Sequence, residues 1–305
     1  MSGRSSPPVP PMVGVAVAVL AVSTSAVLVR LATAPAPVAA FYRVAFTVGV
    51  LVPFVRGAGT DLRAVGRRDL LAAGLAGVAL AAHFAVWFES IELTTVAASA
   101  TLVQTQPVFV AVGAALLLGE RVSARTAVGV AVATAGAVMM SAGGLFASGT
   151  TALGNGLAVL GAAFAAAYVL AGRSLRQRVS LVPYVLVVYA VAAVGLLATA
   201  LARGDPLWGY PAREWVLFFA MAVGPGLAGH TLVNWALKYV ESAVVAVALV
   251  GEPVGATILA AALFGEIPGP TTLAGGAVVL VGIVLTARSR SGERESPEGT
   301  AAPEG

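Results

Sequence analysis

Long stretches of the chain contain no Asp, Glu, Lys or Arg at all, among them 93–119, 126–172, 179–202, 215–237 and 267–287. Each is longer than the roughly 18 apolar residues that carry a helix across a hydrocarbon core. A backbone in lipid must satisfy its own polar groups, so runs this long and this continuously apolar fold as helices. Composition agrees: 59% of the 305 residues are hydrophobic and 10% are charged, where a soluble domain carries about 25% charge. The chain therefore reads as an all-α polytopic membrane protein, which excludes an ordinary soluble enzyme.

The net charge of +4 and sequence pI of 9.8 are explained first as membrane-topology signals and not as a nucleic-acid surface. There is no cysteine, which removes disulfides, thiolate metal sites and Cys nucleophiles. Arg4 followed by an apolar run over residues 12–29 has the layout of a signal peptide. The run is longer than the usual core of about 7–15 residues, so it reads as an uncleaved first helix.

Dividing the chain at charged, Pro and Gly clusters predicts ten transmembrane helices over 11–32, 36–55, 69–88, 94–118, 124–145, 152–172, 181–202, 213–237, 243–264 and 270–287. Residues 1–10 form a short cytoplasmic tail, and 288–305, rich in Ser, Glu, Pro and Gly, a disordered one. With the N-terminus inside, 14 of the 18 Lys and Arg residues fall on inner segments, Arg30, Arg203 and Arg213 on outer loops, and Arg43 within a span. A bias of that size in alternating loops places both ends in the cytoplasm.

Displacing the sequence by 146 residues lays 97–140 on 243–286, with Pro107 on Pro253, Gly119-Glu120 on Gly265-Glu266, Thr126 on Thr272, Gly129 on Gly275 and Gly136 on Gly282. The same shift pairs Pro37 with Pro183. Two repeats follow, residues 11–145 and 152–287. Each holds five helices, an odd number, so the second enters the membrane inverted relative to the first. Inverted repeats put a substrate site near the midplane and give alternating access by rocking.

The doubled pattern resembles the drug/metabolite transporter superfamily, specifically its EamA-type members. The residues that carry the resemblance are Thr94-Thr95-Val96-Ala97-Ala98-Ser99, Gln106-Pro107, Leu118-Gly119-Glu120-Arg121, Gly129 and Gly136, with Glu241-Ser242-Ala243-Val244-Val245, Glu252-Pro253, Phe264-Gly265-Glu266, Gly275 and Gly282 as the second copy. The resemblance implies a secondary carrier, often an exporter of amino acids or other small metabolites.

Ionisable groups inside spans cost roughly 2.5–3.5 kcal/mol each on insertion scales, which makes them functional candidates. Glu252 falls near the middle of the ninth helix beside Pro253, where a kink opens the backbone. It is suited to carry a proton or face a cationic group. Its repeat partner Gln106 cannot titrate, so a proton role would be one-sided. Arg43 sits about two turns inside the second helix and can fork onto a carboxylate, neutralise Glu252, or snorkel to headgroups.

His83 and Trp87 share one helix face, as do His230 and Asn234. These offer hydrogen bonds, proton transfer and a stacking surface. Gln104 and Gln106, two apart, are expected to point differently, with Gln106 toward the cavity. Tyr42, Tyr168, Trp208, Tyr210 and Trp215 include interface anchors. Glu120 and Glu266, at helix C-termini, need compensation such as capping the next helix.

No Walker A sequence, metal-ligand motif or catalytic triad is present, and Gly154–Gly156 and Gly224–Gly226 read as helix-start or hinge features. The expectation is a secondary transporter without cofactor or metal, working in the lipid bilayer, with protons as a candidate coupling ion. Its small polar cargo, an amino acid or related compound, is met by Arg43, His83, Trp87, Gln106, His230, Asn234 and Glu252. Rival readings are a nucleoside, vitamin or cationic drug on the same fold, or a membrane-embedded enzyme or sensor.

Overall fold

The computed structural model describes residues 9–57, 65–94, 96–140, 151–265 and 267–294. Among these, every regular element is helical: α1 (Pro11–Leu31), α2 (Ala36–Gly57), α3 (Arg67–Leu93), α4 (Val96–Val103), α5 (Gln106–Leu118), α6 (Ala124–Met140), α7 (Ala152–Leu175), α8 (Leu181–Arg203), α9 (Ala212–Met221), a π-helical segment (Ala222–Thr231), α10 (Leu232–Ala236), α11 (Ser242–Leu249), α12 (Glu252–Phe264) and α13 (Pro270–Arg294). Among the described residues eight helical stretches are long and apolar enough to cross a membrane, and Gln106–Leu118 and Ala124–Met140 are shorter apolar helices.

Three predicted helices are not continuous. The fourth, 94–118, breaks between Val103 and Gln106, and the ninth, 243–264, between Leu249 and Glu252. Proline is the cause. Its ring collides with the carbonyl four residues earlier and it has no N–H to donate. Counting back from Pro107 and Pro253 gives Val103 and Leu249, the last residues of α4 and α11. Gln106 and Glu252 thus open new helices, and Glu252 is not mid-helix as the sequence suggested.

In the eighth, predicted over 213–237, Pro225 sits within the π segment together with Gly224, Gly226 and Gly229. A wider turn accommodates a residue that cannot bond in the α register. At the C-terminus α13 runs on to Arg294, past the predicted boundary at 287. Residues 295–305, like 1–8 and 141–150, lie outside the described residues.

α5 and α12 both end on a glycine in the left-handed region, Gly119 (φ 63) and Gly265 (φ 68), where a Cβ would be strained. Large apolar side chains on outward faces, such as Leu71, Leu116, Leu117 and Val194, are exposed as lipid contact requires. Small residues mediate the closest helix crossing. The glycines of α6 lie against those of α13, so that a Cβ on Gly136 would come 2.8 Å from Gly275 O. This close approach is the packing device of membrane helices.

The main buried cluster draws on α1, α2, α3, α5, α7, α8, α10 and α11, with Leu80, Val110, Val188 and Leu237 at its centre. A separate aromatic cluster gathers on Tyr42, whose ring stacks on Phe218 at 5.0 Å and meets Trp215 edge-on at 4.9 Å. Its hydroxyl donates to Leu207 O at 2.7 Å.

Candidate functional site

A cavity of about 150 Å³ lies where both helix breaks converge. Arg43 of α2, His83 and Trp87 of α3, Gln106 of α5, Tyr168 of α7, His230 of the π segment and Glu252 of α12 all line it. Six of the seven side chains picked from the sequence as ligands are therefore brought together; the seventh, Asn234, is not on the wall.

Arg43 is only 8% exposed, so it does not snorkel to the headgroups. Its Nη1 donates to Ser25 Oγ at 3.3 Å, and its guanidinium carbon sits 5.6 Å from the centre of the Phe84 ring. Glu252 stands at the first position of α12, and its side chain has no hydrogen-bond partner among the described residues, whereas its backbone carbonyl accepts from Ser23 Oγ at 3.2 Å. A carboxylate at a helix N-terminus is favoured by the free N–H groups and dipole there. Arg43 and Glu252 thus face one cavity with opposite charges and no ion pair between them.

His83 Nδ1 lies 2.9 Å from Gly161 O. A carbonyl only accepts, so Nδ1 carries the proton and, in the neutral ring, Nε2 is an acceptor. The ring stacks on Trp87, with centroids 6.2 Å apart and planes 7° from parallel. Gln104 and Gln106 both reach the wall. The expectation that they diverge assumed a continuous helix, and the break at Gln104-Thr105 cancels it.

Asn234 is fully buried below the cavity. Its Nδ2 donates to His230 O at 2.8 Å, Tyr168 Oη at 2.5 Å and Tyr189 Oη at 3.2 Å. It holds the wall and does not form it. Tyr168, read from sequence as a possible interface anchor, is 3% exposed and belongs to this network. Tyr189 also lines a hollow of about 10 Å³ beside Arg43, Thr47 and His230, about the size of one water. The sequence reading missed Tyr189, Phe84 and Ser25, since a hydroxyl or ring in an apolar run carries no periodic signal.

Beneath the network arginines tie the end of α7 to α10 and to the end of α5. Arg176 Nε donates to Asn234 O at 3.1 Å, and Arg173 Nε to Glu120 Oε1 at 2.5 Å. Burial pushes the Arg176 guanidinium down to about 10, partly offset by Tyr239 and Tyr184, so it stays charged at neutral pH. Glu120 does cap a helix, but not the next one. It accepts from the N–H and hydroxyl of Ser242 at the start of α11, while Ser123 Oγ accepts from Thr126 N in α6. Glu266 lies outside the described residues. Among the described residues no cluster of three His, Cys, Asp or Glu is placed to hold a metal.

The EamA-like transporter family matches residues 10–142 and again 152–288. The pseudopaline exporter CntI from two strains of Pseudomonas aeruginosa, UCBPP-PA14 and PAO1, is 30% identical over 284 residues, 92% of this chain and 97% of the exporter. A protein of known crystal structure superposes with a TM-score of 0.79 at 20% identity, over 94% of this chain and 99% of that one, which shows the shared fold.

Proposed function

The chain belongs to the EamA-like transporter family, and we propose that it exports a small zwitterionic metabolite, an amino acid or related compound, by alternating access across the cell membrane. A member of this family is a transporter and not an enzyme. The observation that carries the cargo class is the pair of opposite, unjoined ionisable groups on one cavity wall, the buried Arg43 and the half-buried Glu252. Leaving a charge unpaired in a low-dielectric site is costly, and a zwitterion spanning the two relieves both at once. Arg43 takes the carboxylate as a bidentate fork, and Glu252 takes the ammonium or, in its absence, a proton. Export follows the direction in the name of the relatives at 30% identity.

The layout proposed is ten spans in two inverted five-helix repeats, residues 11–145 and 152–287, with both termini cytoplasmic. The charge bias of the loops supports it, as does the family match falling twice along the chain. So do the two helix breaks at equivalent prolines. Half-helices that open at midplane are the way such repeats expose backbone to a cargo. A second reading, favoured by the stacked His83 and Trp87 rings, is a cargo with a planar ring, such as a nucleoside or vitamin.

Uptake into everted vesicles or proteoliposomes from a panel of labelled amino acids, nucleosides and organic cations, with and without a pH gradient, tests the assignment. Saturable uptake of a zwitterion that fails in both Arg43→Gln and Glu252→Ala is the expected result. Uptake of a cation that tolerates Arg43→Gln overturns it.

A further inference from the structure

Glu120 lies where three elements meet at the arginine-rich end of the molecule. Its Oε1 accepts from Arg173 Nε at 2.5 Å, and its Oε2 accepts from the Ser242 hydroxyl at 2.7 Å and backbone N–H at 3.2 Å. One carboxylate thus joins the end of α5 to the last turn of α7 and the first residue of α11. Arg173 Nη1 also donates to Leu237 O at 2.9 Å, and Gln177 Nε2 to the same carbonyl at 3.2 Å, which draws in the chain just past α10. The Arg173 and Glu120 side chains are 20% and 13% exposed, so salt screens their attraction only in part. The tie lies about one turn of α7 beyond Tyr168 and Val169, which wall the cavity.

The opposite end is built differently. α12 corresponds to α5 under the 146-residue displacement, yet α5 buries Pro107, Val110 and Ala114 while α12 buries none of its residues. An opening of about 360 Å³ lies between α12 and α1, lined by Ala26, Arg30, Ala256, Ala260 and Phe264. The two ends therefore differ, with α5 tied down beside Glu120 and α12 lying beside an opening. A cargo exported from the cytoplasm must pass the Glu120 end first.

We propose that Glu120 is a positioning residue of the transport cycle, whose carboxylate holds the path shut on the cytoplasmic side until Arg173 and Ser242 leave it. This rests on the transporter reading and on the arginine-rich end being cytoplasmic. Glu120 touches no cargo. It follows a helix C-terminus, where a carboxylate alone is disfavoured, and is compensated by the N-terminus of α11 and the guanidinium of α7. Opening removes both compensations together, so the bonds bias the equilibrium toward the closed end and set its population.

The chain has no cysteine, so Gln104→Cys supplies a single, partly exposed thiol on the cavity wall. Its rate of reaction with a membrane-impermeant maleimide is measured from each side of oriented vesicles, without any cargo. Glu120→Ala is expected to raise the rate from the arginine-rich side by about tenfold, which corresponds to about 1.4 kcal/mol, and to lower it from the other side. Ser242→Ala, which removes one bond, moves both rates the same way by less. Should the alanine variant not fold, Glu120→Gln keeps an acceptor for Ser242, loses the ion pair, and is expected to shift the rates in the same directions.

An unchanged rate from the arginine-rich side in folded variants overturns the proposal. So does an equal rise from both sides, which is general loosening. A blank cargo panel beside a shifted labelling pattern sinks the cargo reading alone, and transport with unresponsive labelling sinks this one alone.

Discussion

One methyl group added at Gly275 or at its neighbour Gly276 separates helix crossing from helix propensity. A Cβ on Gly275 would stand 2.6 Å from Met140 N, 2.7 Å from Gly136 O and 2.9 Å from Met140 Cγ, whereas on Gly276 the nearest atom is Val254 Cγ2 at 3.8 Å. Contacts below 3.4 Å are tight for a Cβ, so at Gly275 the backbone of α6 must retreat by about 0.8 Å, the difference 3.4 − 2.6. A gap of about 0.5–1 Å forfeits a quarter to a half of each dispersion contact it opens. The small-residue seam of Gly129, Gly136, Gly275 and Gly282 spreads that loss along the crossing. Overpacking of this kind costs about 1–3 kcal/mol, against which alanine returns about 1 kcal/mol of helix propensity over glycine.

The expected net is a loss of up to about 2 kcal/mol for Gly275→Ala and a change between zero and a gain of about 1 kcal/mol for Gly276→Ala. Equilibrium unfolding in SDS with mixed micelles, followed by circular dichroism, measures both. Equal destabilisation by the two substitutions would refute the seam.

Further expectations bear on the site and the termini. Asn234→Leu removes the donor shared by Tyr168, Tyr189 and His230 O; at about 0.6 kcal/mol per membrane hydrogen bond, a loss of about 1–2 kcal/mol is expected in the same unfolding assay, and none would mean the network is idle. In proteoliposomes Glu252→Gln should keep counterflow of the cargo and lose pH-driven accumulation; retention of both makes Glu252 a structural residue. Gly119→Ala forces a side chain into φ 63 and should cost about 1–2 kcal/mol, whereas Gly66→Ala, with open space around it, should cost less than half of that in parallel melts.

The charge-free runs made this chain a helical membrane protein before any coordinate was known, because lipid offers no partner to an open backbone and only long helices satisfy such segments. Arg43, His83, Gln106, His230 and Glu252 were legible for a related reason: a polar side chain in an apolar run stands out, and the cost of burying it marks it. The prolines at 107 and 253 were visible too, though reading Pro253 as a kink rather than a break left Glu252 in the middle of a helix, and running the fourth helix unbroken through Pro107 sent Gln104 away from the cavity.

Sequence could not say which helix faces meet. Asn234 shares a face with His230, yet the face turns past the cavity, and its amide ended on two tyrosines from other helices. Glu120 was expected to cap the next helix and instead caps one 122 residues away. Local pattern fixes what each segment is, since propensity, hydropathy and proline act within a few residues. The partners of a buried polar group are chosen by packing across the whole bundle, where close approach at glycines and convergence of the broken helices decide the distances, and that is set only when all the helices are in place.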